Sequence, residues 1–479
     1  MALHKNLIAG EWVDGQQAVK DINPSNTSDV VGEYAYGDAN SVDQAVAAAT
    51  AASYNWGRSG IQQRHDILKA VSDELMARKQ ELGDLLAREE GKTLPEAIGE
   101  TIRAAQIFDF FAGETLRLSG EKLASTRPGL EVEVTREPLG TVGIITPWNF
   151  PIAIPAWKIA PALAYGNCIV FKPADLVPGC AWALADIISR AGVPGGVFNL
   201  VMGRGSVIGE ALLNHKNIAA VSFTGSVATG KRVAQLCASR MAKFQLEMGG
   251  KNPFVVLDDA NLATAVECAV NGAFFSTGQR CTASSRLIVT EGIHDRFVDA
   301  MIERMKSLVV DDARKAGTHI GPVVDQRQLE QDLEYLDIGA KEGAKLAYGG
   351  ERVKRDSDGF FLTPALFTET TGDMRINQEE IFGPVASVIK VKDYDEALAM
   401  ANDTPFGLSA GIATQSLKYA SHFKRNSEAG LVMVNLPTAG VDYHVPFGGR
   451  KGSSYGPREQ GRYAAEFYTT VKTAYTDPG

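Results

Sequence analysis

The sequence predicts an α/β protein in which parallel sheets carry helices on both faces. The first observation is an alternation of short apolar runs with helical segments, beginning near residue 140. Such alternation is typical of a parallel sheet, because each strand needs a helical crossover to return to the same edge. A second alternating series, from the run PFVVLDDA to about residue 450, predicts another α/β unit. With 479 residues the chain is too long for one ordinary core, so we expect two or three domains.

The individual elements follow from the spacing of apolar residues. Five strand candidates begin the first series: 142–146, 168–172, 197–201, 219–223 and 244–248. Residues 41–118 are predicted to be helical, with Ser41 as the cap of the first helix. An apolar stripe that includes Ile67 and Leu75 recurs at helical spacing and indicates core packing. Gly91 is expected to end a helix.

Composition and charge exclude several classes of protein. A formal net charge of −9 argues against a nucleic-acid partner, because phosphate binding needs a basic surface. The opening MALHKNLIAGEWVDG has no apolar signal region. Residues 140–171 are the most apolar part of the chain, but four prolines and Lys158 interrupt them. This segment is therefore predicted to be buried core and not a membrane span.

The cysteines indicate free thiols in a reducing cytoplasm. Their number is odd, and no pair has the spacing of a disulfide framework or a metal site, so no metal is expected. They are Cys168, Cys180, Cys237, Cys268 and Cys281.

Two glycine-rich turns follow strand candidates. FTGSVATGKRVA (223–234) places Gly225 and Ser226 before a helix whose N-terminus suits a phosphate. GRGSVIG (203–209), with Gly205, is a second such turn. Neither matches the Walker P-loop or the common dinucleotide fingerprint. Each turn alone is consistent with a purely structural role, whereas both in one parallel sheet indicate a dinucleotide site.

FKPADLVP (171–178) puts Lys172 and Asp175 just beyond a strand end. In open α/β sheets, ligands bind outside the carboxyl ends of the strands. There a carboxylate accepts both hydroxyls of a ribose, and an ammonium group donates to the same sugar. A solvated surface pair is the alternative.

A lone thiol stands among small hydroxylated residues in FFSTGQRCTASSR (274–286), where Arg280 precedes Cys281. A thiolate reacts where positive charge or backbone donors stabilise it. Glu247 ends a strand candidate beside two glycines, and a buried carboxylate is costly without a task or partners. Asn149 is held between prolines in PWNFP, where its amide suits an oxyanion. The set predicts a nucleophile, a base and an oxyanion hole. A packing role for the cysteine, or a cysteine hydrolase without nucleotide, is the alternative.

Seven ordered motifs that cover essentially the whole chain resemble those of the aldehyde dehydrogenase superfamily. They are PWNFP, KPA, FTGSVATG, LEMGGKNP, FFSTGQRC, EEIFGP and PFGGRKGSSYG. The resemblance implies that Cys281 attacks an aldehyde and passes through a thiohemiacetal and a thioester. The Asn149 amide and the Cys281 backbone N–H would hold the oxyanion. Glu247 would activate the hydrolytic water, and Glu459 would lie near a proton exit route.

The resemblance also implies a nicotinamide dinucleotide as cofactor. Lys172 and Asp175 would bind the adenosine ribose, and Ser226 the pyrophosphate. Glu380 would bind the nicotinamide ribose, and Phe382 would pack beside the nicotinamide. The further cofactor positions are Thr146, Pro147, Trp148, Gly205, Gly225 and Gly249. An acid at position 175 accepts a ribose 2′-OH and repels a 2′-phosphate, so NAD⁺ is favoured, while Lys172 leaves NADP⁺ possible.

The family architecture implies three parts. A Rossmann-like NAD(P)-binding domain would comprise residues 1–118 and 139–250, and an α/β catalytic domain residues 251–452. A small β extension for oligomerisation would comprise 119–138 and 453–479. The run EFYTTVKTAYT reads as an edge strand that pairs with another subunit, in a homodimer or homotetramer.

The substrate is expected to be a small aldehyde. Trp157 and Phe275 stand where succinate-semialdehyde enzymes of the family hold arginines, so they predict an apolar wall. Arg280 and His444 are the candidate polar contacts. The catalytic loop and the C-terminal run look most like those of α-ketoglutarate semialdehyde (2,5-dioxopentanoate) dehydrogenases, whose substrate carries a carboxylate that a guanidinium would pair with.

Alternatives stay open at this point. In one alternative, Arg280 braces the catalytic loop and does not bind the substrate. In another alternative, the substrate is succinate semialdehyde or one of a broad range of aliphatic and aromatic aldehydes. A coenzyme-A-acylating activity is disfavoured because Glu247 is present.

Overall fold

Two large β-sheets, each packed against helices, organise the chain. The computed structural model describes residues 2–479. One sheet has eight strands and the other seven, and smaller sheets of three, three and two strands complete the structure. This is the α/β architecture that the strand–helix alternation predicts, so the fold class is confirmed.

The strands are short, as expected for buried parallel sheets. Those of the first half are β1 (Leu3–His4), β2 (Asn6–Ile8), β3 (Glu11–Val13), β4 (Gln17–Ile22), β5 (Val30–Tyr36), β6 (Glu121–Ala124), β7 (Glu131–Pro138), β8 (Thr141–Ile145), β9 (Cys168–Lys172), β10 (Phe198–Leu200), β11 (Ala220–Thr224) and β12 (Lys243–Glu247). Those of the second half are β13 (Pro253–Val256), β14 (Arg286–Thr290), β15 (Lys345–Tyr348), β16 (Ala365–Thr370), β17 (Val385–Val391), β18 (Phe406–Gly407), β19 (Ser409–Ala413), β20 (Leu431–Val434), β21 (Arg450–Lys451), β22 (Ser454–Tyr455) and β23 (Thr469–Thr476).

The helices connect these strands. They are α1 (Ala39–Gly57), α2 (Ile61–Ala77), α3 (Lys79–Glu90), α4 (Leu94–Thr115), α5 (Ala153–Ala164), α6 (Pro178–Arg190), α7 (Glu210–Asn214), α8 (Val227–Ser239), α9 (Leu262–Phe274), α10 (His294–Lys306), α11 (Gln326–Lys341), α12 (Arg375–Gln378), α13 (Tyr394–Asn402), α14 (Leu417–Asn426) and α15 (Ala465–Tyr468).

Four adjacent parallel strands form the centre of the eight-stranded sheet, in the order β12-β11-β8-β9. Together with β10 they are the five predicted runs, and each begins and ends within one residue of its prediction. Most of their residues are buried, so the apolar side chains of these runs form the core of this half of the molecule. The seven-stranded sheet, ordered β15-β16-β17-β14-β13-β19-β20, corresponds to the second predicted series.

Helix α5 confirms the interpretation of residues 140–171 as buried core. All of its residues are buried, including Lys158, and Pro161 lies inside it. In the part of the chain that the structure describes, residues 2–479, no helix has both the length and the apolar character needed to cross a bilayer.

Helix α1 begins differently from the prediction. Its N-cap is Asp38, whose Oδ1 accepts the Ser41 backbone N–H at 2.9 Å, and Ser41 Oγ accepts the Asp38 N–H at 3.2 Å. The expected Ser41 cap is therefore wrong by three residues. Both residue types accept an N–H well, but only a carboxylate also stabilises the positive end of the helix dipole.

Gly91 ends α3, as predicted, in the left-handed conformation at φ +96°. The turn directs the next residue, Lys92, into the protein interior. There Lys92 Nζ donates to Glu100 Oε2 and to the Asn149 carbonyl oxygen, each at 2.7 Å. The end of this helix therefore fixes the backbone of the predicted oxyanion residue.

The C-terminal strand β23 pairs antiparallel with β7 over eight residues and forms the edge of a three-stranded sheet. Val471 and Tyr475 on this strand are exposed, so the predicted edge strand is confirmed. Its pairing with another subunit stays a prediction, as do the domain boundaries. Strand β22, which lies inside the segment predicted for oligomerisation, joins the eight-stranded sheet beside β12.

Substitution of two glycines gives opposite expected effects on stability. At Gly91 an added Cβ lies 2.9 Å from Pro322 Cγ and 3.0 Å from Pro24 Cγ, at a positive φ. We expect Gly91→Ala to lower the free energy of unfolding by about 2 kcal/mol. Gly99, on the exposed side of α4, has open space around it, so Gly99→Ala is expected to raise that free energy by about 0.5–1 kcal/mol. Urea titration followed by circular dichroism measures both, and equal effects would contradict the account.

Candidate active site

Four polar residues lie along the edge where the central parallel strands end. Lys172 ends β9, Thr146 follows β8, Thr224 ends β11 and Glu247 ends β12. The register aligns these ends, since Ile145 pairs with Lys172 and Thr224 with Glu247. The carboxyl edge of such a sheet is the usual ligand site of an α/β fold.

The turn after β11 joins this edge to a helix N-terminus. Ser226 is the N-cap of α8 and accepts the Thr229 N–H at 3.3 Å. The Gly225 N–H donates to the Glu247 carbonyl at 3.0 Å, which connects the turn to the neighbouring strand. Ser226 is exposed, so its hydroxyl and the first N–H groups of α8 are accessible to an anion.

Residues present at this edge fit a dinucleotide. The hydroxyls of Thr146 and Thr224 are buried and have no hydrogen-bond partner among residues 2–479. Burial lowers the pKa of the Lys172 ammonium to about 8, and its Nζ donates to the Pro173 carbonyl at 2.6 Å. Asp175 is exposed just beyond, with its backbone carbonyl fixed by the Tyr36 hydroxyl at 2.9 Å. Unused donors and an accessible carboxylate suit a polar ligand with ribose and phosphate groups.

The other cofactor candidates surround the same edge. Gly205 begins a π-helical turn, Gly205–Gly209, that continues into α7, so the second glycine turn is helical. Pro147 and Trp148 follow Thr146 directly, and the Trp148 ring meets the Phe382 ring edge-to-face at 5.3 Å. Phe382 has a φ of +63°, a strained conformation that is commonly retained at functional sites.

Glu380 contacts the segment that follows β12, the strand that Glu247 ends. Its Oε1 accepts the Gly250 N–H at 3.0 Å, and its carboxylate fills the space that a Cβ would occupy at Gly249. Any larger residue at position 249 would displace this carboxylate. Burial raises the pKa of Glu380 to about 7, against the lowering effects of the Gly250 N–H and Lys251.

A carboxylate of α4 makes three of the hydrogen bonds that hold the loop before Cys281. Ser276 and Thr277 have positive φ values of +50° and +58°. Glu96 Oε1 accepts the Ser276 N–H at 2.9 Å, the Ser276 hydroxyl at 3.0 Å and Arg280 Nη2 at 3.0 Å. Glu96 therefore compensates a strained turn and fixes the direction of the chain towards Cys281.

Cys281 is anchored by its backbone and faces two carboxylates. Its carbonyl accepts Asn252 Nδ2 at 2.7 Å, and the side chain is partly exposed. Burial raises the pKa of the Cys281 thiol to about 12, with further raising by Glu380 and Glu247. The backbone N–H groups of Cys281 and Thr282 oppose this shift. Both carboxylates therefore lie within electrostatic reach of the sulfur, which is protonated at neutral pH.

Asn149 is buried beside the same loop. Its Nδ2 donates to the Gln279 carbonyl, two residues before Cys281, at 2.9 Å. The Gln279 side-chain oxygen accepts the Val324 N–H at 3.0 Å, so the acceptor itself is fixed. Lys92 Nζ donates to the backbone carbonyl of Asn149. Both the backbone and the side chain of Asn149 are therefore fixed, as a donor to an oxyanion has to be.

Glu247 is a buried carboxyl group whose pKa is raised well above its usual range. The causes are burial first and then the negative charge of Glu459, opposed by the Ser454 hydroxyl, Lys158 and Arg458. The Ser454 hydroxyl donates to Glu247 Oε2 at 2.5 Å. A carboxylate whose pKa is shifted in this direction is a stronger base than an ordinary carboxylate.

Glu459 forms a buried ion pair with Lys158 behind Glu247. Lys158 Nζ also donates to Ser222 Oγ at 2.9 Å, and the Ser222 hydroxyl lies 3.3 Å from Glu459. Glu459 thus follows Glu247 in a chain of buried titratable groups.

A cavity of about 410 Å³ opens on Cys281. Trp157 and Arg280 line it as expected, with Trp157 stacked on Phe447 at 5.2 Å. Arg280 is also the partner of Glu96, which is the geometry of the bracing alternative. Arg103, which the sequence analysis did not select, lies in the same wall.

Two expected substrate residues are not brought to this cavity. Phe275 caps α9 and packs on the core of the seven-stranded sheet, because the turn at Ser276 redirects the chain. His444 is exposed beside Tyr443, at 5.5 Å between ring centroids. As substrate contacts, both residues stay predictions that this cavity does not support. Among residues 2–479, no three His, Cys, Asp or Glu side chains gather as a metal site would require.

Sequence reasoning missed three charged residues of α4: Glu96, Glu100 and Arg103. Glu100 Oε1 accepts the N–H groups of Ile152 and Ala153 at 2.9 and 3.1 Å, at the start of α5. The signal that could have found them is their spacing of four and three residues, which puts all three on one helix face.

Comparisons with known proteins agree with this geometry. A model of the aldehyde dehydrogenase family matches residues 12–474. The alpha-ketoglutaric semialdehyde dehydrogenase of Bacillus subtilis (strain 168) is 45% identical over 478 residues, which cover 99% of this chain and 98% of the relative. The 2,5-dioxopentanoate dehydrogenase of Saccharolobus solfataricus is 41% identical over 472 residues, 98% of each chain.

A solved structure of betaine aldehyde dehydrogenase from Staphylococcus aureus, in complex with NAD⁺, has a TM-score of 0.96 and 34% identity. The match covers 99% of this chain and 94% of that one. The family model spans nearly the whole sequence, and the relatives match it from end to end. This chain belongs to the aldehyde dehydrogenase family.

Proposed function

We propose that this aldehyde dehydrogenase oxidises α-ketoglutarate semialdehyde to the carboxylate with NAD⁺. The observation that carries the proposal is the convergence of Cys281, Asn149 and Glu247 at the carboxyl edge of the parallel sheet, with Cys281 open to a cavity. The names of two full-length relatives support the substrate. The NAD⁺ complex of the S. aureus relative supports the cofactor.

The first step is addition of the Cys281 sulfur to the aldehyde carbon. The thiol is protonated at neutral pH, so its proton passes to a base as the C–S bond forms. Glu247, a buried carboxylate within electrostatic reach, is the base that the site offers. The Asn149 amide and the Cys281 N–H stabilise the oxygen that becomes negative.

Collapse of the resulting thiohemiacetal forms the thioester. The oxyanion re-forms a carbonyl, and the hydrogen of the former aldehyde carbon leaves as hydride. When bound, the oxidised nicotinamide accepts this hydride. Thr146, Lys172, Asp175, Ser226 and Glu380 are the residues that would hold the dinucleotide.

Hydrolysis of the thioester completes the cycle. Glu247 first releases the proton that it took from the thiol. It then takes a proton from water, whose oxygen attacks the acyl carbon, and returns this proton to the sulfur, so that Cys281 leaves as thiol. The proton from the thiol moves on towards the carboxylate of Glu459, which Lys158 holds behind Glu247. Glu459 thus restores the base without contact with the substrate.

We also propose that the protein forms a homo-oligomer and is located in the cytoplasm. The exposed Val471 and Tyr475 on β23 leave an edge strand open to a second copy of the chain. All five cysteines are free, which is the usual state in a reducing compartment.

Initial rates with a panel of aldehydes test the substrate. With NAD⁺, kcat/KM for α-ketoglutarate semialdehyde is expected to exceed that for uncharged pentanal by about tenfold or more, because a cavity with arginines rewards a carboxylate. Equal values for the two aldehydes would reject the acidic substrate. A lack of reduced nucleotide with every aldehyde would reject the function as a whole.

The cofactor choice is tested at Asp175. Removal of the carboxylate by Asp175→Ser removes an acceptor for the ribose 2′-OH and the repulsion of a 2′-phosphate. The ratio of kcat/KM with NAD⁺ to kcat/KM with NADP⁺ is expected to fall by about tenfold. The KM for the aldehyde serves as control and should stay constant. An unchanged cofactor ratio would contradict the assignment of Asp175.

A further inference from the structure

The cavity beside Cys281 contains two guanidinium groups with different partners. Arg280 forms an ion pair with Glu96 at 3.0 Å, and its Nη1 lies 3.4 Å from Asn271 Oδ1. Its side chain is only 12% exposed. The charge of Arg280 is therefore compensated within the protein, and its geometry is fixed by the loop that it braces.

Arg103 lacks such compensation. Its hydrogen bond in the described chain, residues 2–479, is from Nη2 to the neutral Gln460 Oε1, at 3.1 Å. No Asp or Glu oxygen in that part of the chain lies within 4.0 Å of it. Gln460 is fully buried, so it orients the guanidinium without neutralising it.

The acidic groups near Arg103 are already engaged or distant. Glu100, on the same helix, binds Lys92 and the N–H groups at the start of α5 with both carboxylate oxygens. Asp442 is exposed, and it affects Arg103 only through the electrostatic attraction of its negative charge. Burial lowers the pKa of Arg103, and these two acids oppose that shift.

The remaining wall of the cavity is mostly apolar, with Phe150, Ile154, Trp157, Val441 and Phe447. A cation in such surroundings is costly unless an anion joins it. A planar guanidinium pairs best with a carboxylate, which it can bind through two parallel hydrogen bonds. The cavity thus offers one uncompensated cation in the same space as the nucleophilic sulfur.

We propose that Arg103 binds the distal carboxylate of the substrate and determines the preference for acidic semialdehydes, while Arg280 braces the catalytic loop. This inference rests on the proposed function, because it requires an aldehyde that carries a carboxylate. It assigns the two arginines separate tasks. One recognises the far end of the substrate, and the other holds the chain that presents Cys281.

Three variants separate these tasks: Arg103→Met, Arg103→Lys and Arg280→Met. For Arg103→Met, kcat/KM for α-ketoglutarate semialdehyde is expected to fall about 100-fold, mainly through KM, with pentanal changed less than threefold. Arg103→Lys keeps the charge and should recover most of the loss. Arg280→Met should lower kcat/KM for both aldehydes by similar factors, because the loop loses its anchor.

Product inhibition gives a readout that a structural role would not move. 2-Oxoglutarate is used as a competitive inhibitor against pentanal, so the carboxylate contact is measured without turnover of an acidic aldehyde. Its inhibition constant is expected to rise about 100-fold in Arg103→Met and to stay within threefold of wild type in Arg280→Met.

The outcomes distinguish a failure of the role assigned to Arg103 from a failure of the proposed substrate class. Equal losses for both aldehydes in Arg103→Met, or a selective loss for the acidic aldehyde in Arg280→Met, would overturn the assignment of Arg103. If the wild-type enzyme itself fails to prefer the acidic aldehyde, the proposed substrate class is wrong, whatever the variants do.

Discussion

One face of helix α4 holds the active site together. Glu96, Glu100 and Arg103 follow one another at spacings of four and three residues, so they project from the same side. Glu96 fixes the strained loop that leads to Cys281, and Glu100 fixes the start of α5 and the ammonium of Lys92. The proposed nucleophile Cys281 and the proposed oxyanion donor Asn149 belong to different parts of the chain, and this single helix sets their relative position.

Burial determines the protonation of the site. The pKa values of the thiol of Cys281 and the carboxyl groups of Glu247 and Glu380 are all raised, because each charged form loses water. At Cys281 and Glu247, neighbouring negative charges add to the shift. The proposed nucleophile therefore rests as a thiol, and in the proposed reaction it is activated only when a base accepts its proton. The ammonium of Lys158 opposes the rise in the pKa of Glu247, whereas the negative charge of its partner Glu459 adds to that rise.

The sequence predicts the parallel sheet and the chemical residues better than the residues that support them. Cys281 and Glu247 stand out because a thiol and a carboxylate are unusual beside glycines and strand ends. Glu100 and Arg103 lie in a helix whose apolar pattern is explained by packing alone. Their hydrogen-bond partners Ile152 and Gln460 are 52 and 357 residues away along the chain, so no local pattern reveals them. Phe275 fails as a cavity residue because its position depends on the left-handed turn that follows, and no local propensity of serine or threonine predicts that turn.

The central claim is that Cys281 carries the acyl group and that Glu247 releases it. Glu247→Gln keeps the shape of the side chain and removes the base. Formation of the thioester should slow, because the thiol proton then has to pass to water in the open cavity. Hydrolysis should slow further, so the thioester should accumulate. With NAD⁺ and aldehyde, we expect a burst of about one reduced nucleotide per active site, steady-state turnover lowered by about 10²–10⁴-fold, and an acyl group on the Cys281 peptide by mass spectrometry after acid quench. Turnover at the wild-type rate, or an unmodified Cys281 peptide after the burst, would contradict the account.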